Sequence, residues 1–258
     1  MTTSPVHAHT LAVHGFDLYY ETRGEGPPLL LLHGFTGSSG DWRHLLDLDE
    51  LAREHRIVAP DARGHGRSIN PSGTLTIRQC ALDAFALLDH LGIERVRAIG
   101  VSLGGNTLLH MATQQPDRID AMVVVAATMY FPAQARPIMR SASFEDLPAD
   151  QLAIQRATHH GGDDQIRALW QQIRGFADSH DDMAFTPPSL SRITARTLIV
   201  NGDRDPLYPV EMYVDMYRAI PRSSLWIIPD GGHGPIFGEH RDAFVRTALR
   251  FLRGEPAV

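Results

Sequence analysis

The feature that most restricts how this chain can fold is the pentapeptide Gly100-Val101-Ser102-Leu103-Gly104. Before it, Val96, Ala98 and Ile99 form a short apolar run that reads as a strand. After it, Leu103, Leu108, Leu109, Met111 and Ala112 recur as on a buried helix face. A serine set directly between a strand and a helix sits in a tight, strained turn. Glycines on either side let neighbouring backbone approach where a Cβ would clash. The turn pushes the serine Oγ into the open. The helix that follows aims its N-terminal N–H groups and the positive end of its dipole at the same place. A bare G-x-S-x-G arises often by chance; between a strand and a helix it points to a nucleophilic serine.

The rest of the chain alternates in the same way. Residues 11–13 and 18–22 read as strands of an antiparallel hairpin joined at Gly15. Residues 29–32 are a continuous apolar run, suited to a central strand buried on both faces. Further strands are expected at 57–59, 96–99, 122–127, 197–201 and 225–229, and helices at 41–54, 76–90 and 239–253, the last with Phe244, Ala248, Phe251 and Leu252 on one face. Strands alternating with helices imply a mostly parallel eight-stranded sheet with helices on both faces, an α/β class. The chain of 258 residues is long enough to bury a single large core of this kind.

The alternation lapses once, over residues 129–190, which Pro132, Pro137, Pro148, Pro187 and Pro188 punctuate. Within it, Ile166, Leu169, Trp170 and Ile173 fall at helical spacing behind Asp163 and Asp164, which suit a helix start. The expected organisation is a core built from residues 1–128 and 191–258, with a small helical lid inserted after the sixth strand. Insertions at the carboxyl ends of strands are where binding loops sit in open α/β sheets.

A net charge of −6 argues against nucleic acid or an anionic membrane surface as a partner. The single cysteine, Cys80, excludes an internal disulfide, and its register with Ile77, Ala81, Ala84 and Leu88 predicts a buried thiol. The stretch from Met1 to Thr10 has no charged segment leading into an apolar one, and no apolar run reaches ~18 residues. Neither signal peptide nor membrane span is expected, and a cytoplasmic protein follows.

A nucleophilic serine needs a base, and the base needs an orienting acid. His233 lies in Gly231-Gly232-His233-Gly234-Pro235, directly after a predicted strand. Glycine gives such a loop the dihedral freedom to aim a side chain at a fixed point. The acid candidates, Asp203 and Asp205, lie in Asn201-Gly202-Asp203-Arg204-Asp205-Pro206, again after a predicted strand. The order Ser…Asp…His is the one this elbow requires.

These motifs resemble the α/β-hydrolase fold superfamily, in its lid-bearing esterase and haloperoxidase-like branch. The carriers are His33-Gly34-Phe35, the run from Asp61 to Ser68 (Asp-Ala-Arg-Gly-His-Gly-Arg-Ser), the elbow, Gly202-Asp203-Arg204-Asp205 and Gly232-His233, in order along nearly the whole chain. The resemblance implies Ser102 as nucleophile, His233 as general base and then acid, and Asp205 as its partner, with Asp203 holding the loop by hydrogen bonds. It also implies an oxyanion hole from the backbone N–H groups of Phe35 and Leu103. Neither a metal nor an organic cofactor is called for by this chemistry.

Other residues receive plainer readings. His65, in a glycine-rich turn, is expected to be structural, and His33 to shape the oxyanion loop. His159-His160 and the pair His7 and His9 lack the cysteines or carboxylates of a metal site and read as exposed polar side chains. Trp42 and Trp170 read as packing residues. Phe35, Leu103, Met129 and Phe131 are candidates to line an apolar acyl pocket.

The reaction implied is hydrolysis of small or medium carboxylic esters through an acyl-enzyme, with a small-molecule ester as the partner. Dehalogenases and epoxide hydrolases of this fold place aspartate where Ser102 stands. Proline iminopeptidases resemble a His-Gly-Gly-Pro-Gly pattern, and hormone-sensitive-lipase relatives carry three glycines after the histidine; this chain has His33-Gly34-Phe35-Thr36-Gly37. C–C hydrolases often have tryptophan after the catalytic histidine, where this chain has Gly234, and cofactor-free haloperoxidases or perhydrolases usually have proline near the position of Thr36. Those two activities, with lactone and thioester hydrolysis, stand as alternatives on the same triad. A ligand receptor built on the hydrolase fold is the alternative from another class.

Overall fold

The computed structural model describes residues 5–255. Residues 1–4 and 256–258, which include the start of the stretch searched for a leader and the outermost positions of the two core segments, lie outside the described residues. Eight strands form one sheet: β1 (His7–Val13), β2 (Phe16–Arg23), β3 (Pro28–Leu32), β4 (Arg56–Pro60), β5 (Val96–Val101), β6 (Ile119–Val125), β7 (Arg196–Gly202) and β8 (Ser223–Ile228). Their spatial order is β1-β2-β4-β3-β5-β6-β7-β8. The pairs β1/β2 and β2/β4 are antiparallel and all others parallel. The β1–β2 turn has positive φ at both His14 and Gly15, the backbone that a two-residue hairpin of native twist needs.

Side-chain alternation along the parallel strands builds two cores. Leu30, Leu32, Val58, Ala98, Met122, Val124 and Ile199 face one way and pack against α3 (Ile77–His90), α4 (Leu103–Gln114) and α9 (Val210–Ala219). Leu29, Leu31, Ile57, Ala59, Ile99, Val123, Val125, Leu198 and Val200 face the other way and pack against α1 (Trp42–Leu45), α2 (Leu48–Leu51) and α10 (Arg241–Arg253). This period of two explains why the strand sequences are continuously apolar. Cys80 is buried on α3, and burial pushes its thiol pKa up.

The helix expected over 41–54 is broken. A 3-10 turn at Ser39–Asp41 runs into α1, Leu46 is extended, and α2 starts afresh. The cause is Asp47, whose side chain accepts the N–H groups of Asp49 and Glu50 and so caps a new helix inside the apolar pattern. At α10, a separate 3-10 turn occupies Gly238–His240, so the helix begins two residues later than expected.

Between β6 and β7 the chain leaves the sheet and forms α5 (Ala135–Ser141), α6 (Ala149–Thr158), α7 (Gly162–Phe176) and α8 (Pro187–Leu190). Ile166 and Leu169 of α7 are fully or almost fully buried. No helix among the described residues is long and apolar enough to cross a membrane.

Candidate active site

The strand-to-helix turn at Ser102 is strained: φ is 49° and ψ is −106°. Three backbone hydrogen bonds hold it there. The Ser102 N–H donates to Val125 O at 2.7 Å, Gly104 N–H to His33 O at 3.1 Å, and Asn106 N–H to Ser102 O at 2.8 Å. The flanking glycines are required by contact. A Cβ at Gly100 would lie 2.7 Å from Gly105 N, and one at Gly104 would lie 2.7 Å from Leu32 Cβ and closer still to the Leu32 carbonyl. The elbow is thus wedged against the central strand β3, and Ser102 itself is only half-buried.

Loops after two parallel strands bring the other members to it. His233, following β8, places Nε2 3.0 Å from Ser102 Oγ. Its Nδ1 lies 2.9 Å from Asp205 Oδ2, after β7. The Asp205 side chain is fully buried and the His233 side chain 29% exposed. The second carboxylate oxygen of Asp205 accepts the N–H groups of Leu207 at 2.8 Å and Tyr208 at 3.3 Å. Because the carboxylate only accepts, His233 carries its proton on Nδ1, and Nε2 is left to accept the Ser102 hydroxyl. Asp203 is exposed, and among the described residues its carboxylate reaches only Arg204, at 4.0 Å. The loop-holding role expected of its side chain falls instead to its backbone, whose N–H donates to Ile228 O at 3.2 Å.

Phe35 follows β3 and Leu103 opens α4, where the first N–H groups have no intrahelical acceptor. Among the described residues, the loop and turn hydrogen bonds leave both amides without a partner. Thr36, beside Phe35, has φ of 62°, a second point of backbone strain at the site. His33 accepts the Ala62 N–H on Nε2 at 2.9 Å and donates from Nδ1 to Gly34 O at 2.7 Å, which ties this loop down. His65 is buried, its Nδ1 bonds Arg63 O at 2.9 Å, and burial holds its pKa well below the ordinary histidine value. Its ring meets Phe35 edge-on at 4.8 Å.

His159 overturns the expectation of an exposed side chain. It is 1% exposed, although His160 lies on the surface. Its Nδ1 accepts the Gly66 N–H at 3.0 Å and its Nε2 donates to Thr36 O at 3.1 Å. Burial lowers its pKa to about 4. It thereby fastens the α6–α7 junction to the loop that carries Phe35. Nothing local in the sequence signals this, because its partners are 93 and 123 residues away.

Above Ser102 lies a cavity of about 670 Å³. Phe35, Leu103 and Phe131 are in its wall. Met129 is not: it is buried in the core at 4% exposure, where its carbonyl accepts the Phe185 N–H beside the Tyr130–Ala184 bridge. Trp42 and Trp170, read as packing residues, also form part of the wall. Helices α5 and α7 contribute Ile138, Met139, Ile173 and Phe176.

Sequence reasoning missed Tyr208. Its ring lies 5.4 Å from that of His233, edge to face, and its backbone caps Asp205. Burial and the neighbouring Asp205 charge push its phenol pKa up. The available signal was Asp205-Pro206, since an aspartate before proline commonly folds its side chain back onto the N–H groups two and three residues on. Among the described residues no cluster of three or more His, Cys, Asp or Glu is placed to hold a metal ion.

Comparison with known proteins agrees with this architecture. A 2-hydroxymuconate semialdehyde hydrolase of Pseudomonas putida is 25% identical over 276 residues, covering 99% of this chain and 97% of its own. A pimeloyl-[acyl-carrier protein] methyl ester esterase of Vibrio vulnificus is 26% identical over 259 residues, covering 91% and 98%. The crystal structure of a hydrolase from Pseudomonas aeruginosa PA01 superposes with a TM-score of 0.77 at 23% identity, over 96% of this chain and 98% of that one. Residues 29–247, from β3 into α10, match the alpha/beta hydrolase family, and the chain belongs to that family.

Proposed function

We propose that this protein is a serine hydrolase that cleaves carboxylic esters through an acyl-enzyme. The observation that carries the reading is the continuous line from Ser102 Oγ through His233 to Asp205, at 3.0 and 2.9 Å, at the base of an apolar cavity. Ser102 Oγ attacks the ester carbonyl carbon while its proton passes to His233 Nε2. The carbonyl oxygen gains charge and accepts the N–H groups of Phe35 and Leu103, each such donor being worth about 3–4 kcal/mol of barrier. Asp205 stabilises the imidazolium and holds its tautomer. Collapse of the tetrahedral intermediate breaks the C–O bond, and the departing alcohol takes the proton from His233. A water molecule, deprotonated by the same histidine, then attacks the acyl carbon; the carboxylic acid leaves and Ser102 recovers its proton.

The helical insertion serves as the lid in this reading, because α5 and α7 close the cavity over the serine. The Vibrio relative supports ester cleavage, and the Pseudomonas putida relative makes C–C bond hydrolysis the second activity to assay. The test is labelling by a fluorophosphonate together with turnover of p-nitrophenyl esters of increasing chain length. Rapid stoichiometric labelling of Ser102, with kcat lowered at least ~10³-fold in Ser102→Ala, is expected. Tight binding without labelling or turnover identifies a receptor, and an unchanged rate in Ser102→Ala removes Ser102 from the mechanism.

A further inference from the structure

The charge of the cavity wall narrows the substrate. The chain contains no lysine, so its 24 permanent cations are all arginines. None of them lines the cavity. Of the five arginines of the insertion, Arg174 is exposed on α7 outside the wall, and the other four are committed elsewhere. Arg136 donates to the carbonyls of Phe131, Ala177 and Ser179; Arg140 pairs with Asp178, Arg156 with Asp163, and Arg167 with Asp164 and Glu145. The wall does carry carboxylates, Asp41 and Asp146. Asp41 accepts the Ser38 N–H and so keeps its place. His33 uses both ring nitrogens on backbone partners, the Gly34 carbonyl and the Ala62 N–H, and offers nothing to a ligand.

An anionic substituent in this cavity loses its hydration and finds no cation in return. It also meets like charge. We infer that the site selects neutral, apolar esters and rejects esters whose acyl chain carries a carboxylate. This rests on the ester reading above for the reaction, but on the wall alone for the sign of the preference.

The probes are p-nitrophenyl hexanoate and the mono-p-nitrophenyl ester of adipic acid, which match in chain length and differ in one carboxylate. At pH 8 the neutral ester is expected to have at least about 100-fold higher kcat/KM. Binding of the same two esters to Ser102→Ala, read by quenching of Trp42 and Trp170 in the wall, should show the same order. Ile138, 44% exposed at the cavity rim, gives the converse test: Ile138→Arg supplies the missing cation and should shrink the ratio at least about tenfold. A ratio within threefold of unity, in turnover or in binding, overturns the inference, as does an Ile138→Arg ratio equal to the parent's. If fluorophosphonate fails to label Ser102 and neither ester turns over, the ester reading falls, while the binding ratio still decides the sign of the cavity's preference.

Discussion

Replacing Gly104 with alanine tests whether contact at the elbow, and not flexibility, sets the glycine requirement. The added Cβ would lie 2.7 Å from Leu32 Cβ and nearer still to the Leu32 carbonyl, whereas real Cβ contacts below 3.0 Å are essentially never seen. Leu32 closes the central strand β3 and packs into one of the two cores, so neither partner has free space to retreat into. Forcing extra volume into a packed interior costs about 1–3 kcal/mol. At ~2–4 °C per kcal/mol for a chain of this size, Tm should fall by roughly 2–12 °C. The Gly104 amide bonds His33 O, so the shift also moves the loop carrying Phe35 relative to Leu103. A displacement of that kind loosens both oxyanion donors at once, and kcat for a p-nitrophenyl ester should fall at least ~10-fold. Gly232 is the control: it adjoins His233, but a Cβ there meets nothing within 4 Å. Gly232→Ala should keep its stability within about 0.5 kcal/mol. Thermal unfolding and ester kinetics on the two variants settle the matter. A Gly104→Ala protein with unchanged Tm and kcat, or a Gly232→Ala protein equally damaged, would refute the contact argument.

Further outcomes follow from the same geometry. Asp205→Asn preserves an oxygen for the Leu207 and Tyr208 amides but presents an N–H toward His233, which favours the wrong tautomer; kcat should fall about 10⁴-fold with Tm little changed, and full activity would exclude Asp205 as the orienting acid. His159 has its pKa lowered to about 4 in the folded protein, chiefly by burial, against ~6.5 unfolded. The unfolded chain therefore binds the extra proton first as pH falls, and stability present above about 6.5 is lost toward pH 4, by up to about 3 kcal/mol. Urea unfolding across that window should show a shallower pH slope in His159→Asn than in the parent; identical slopes would mean that His159 does not carry this part of the linkage.

The site was legible because each of its members directly follows a strand whose apolar run stands out. Ser102, Asp205 and His233 could be picked from motif, order and position, and the coordinates bring those three side chains together. The central parallel strands were legible for the same reason, their buried faces giving unbroken apolar stretches, whereas the exposed start of β1, from His7 to Thr10, carries no such run. What escaped was set by competition or by distance. Asp47 wins the backbone N–H groups that a longer helix would have used. His159 becomes internal only because the chain returns to Gly66 and Thr36 after a long excursion. Met129 and Phe131 are both apolar and two residues apart, yet only the second reaches the cavity, a difference invisible to hydropathy.

The strand order has an evolutionary corollary. β6 runs between β5, which delivers the serine, and β7, which delivers the aspartate. Whatever is spliced in after β6 must emerge between the serine and the aspartate, and it does so without lengthening the loops that bear the serine, the aspartate and, after β8, the histidine. Variation in the inserted segment is thus uncoupled from those loops, save at His159, whose ring ties the insert to the backbone at Thr36 and Gly66.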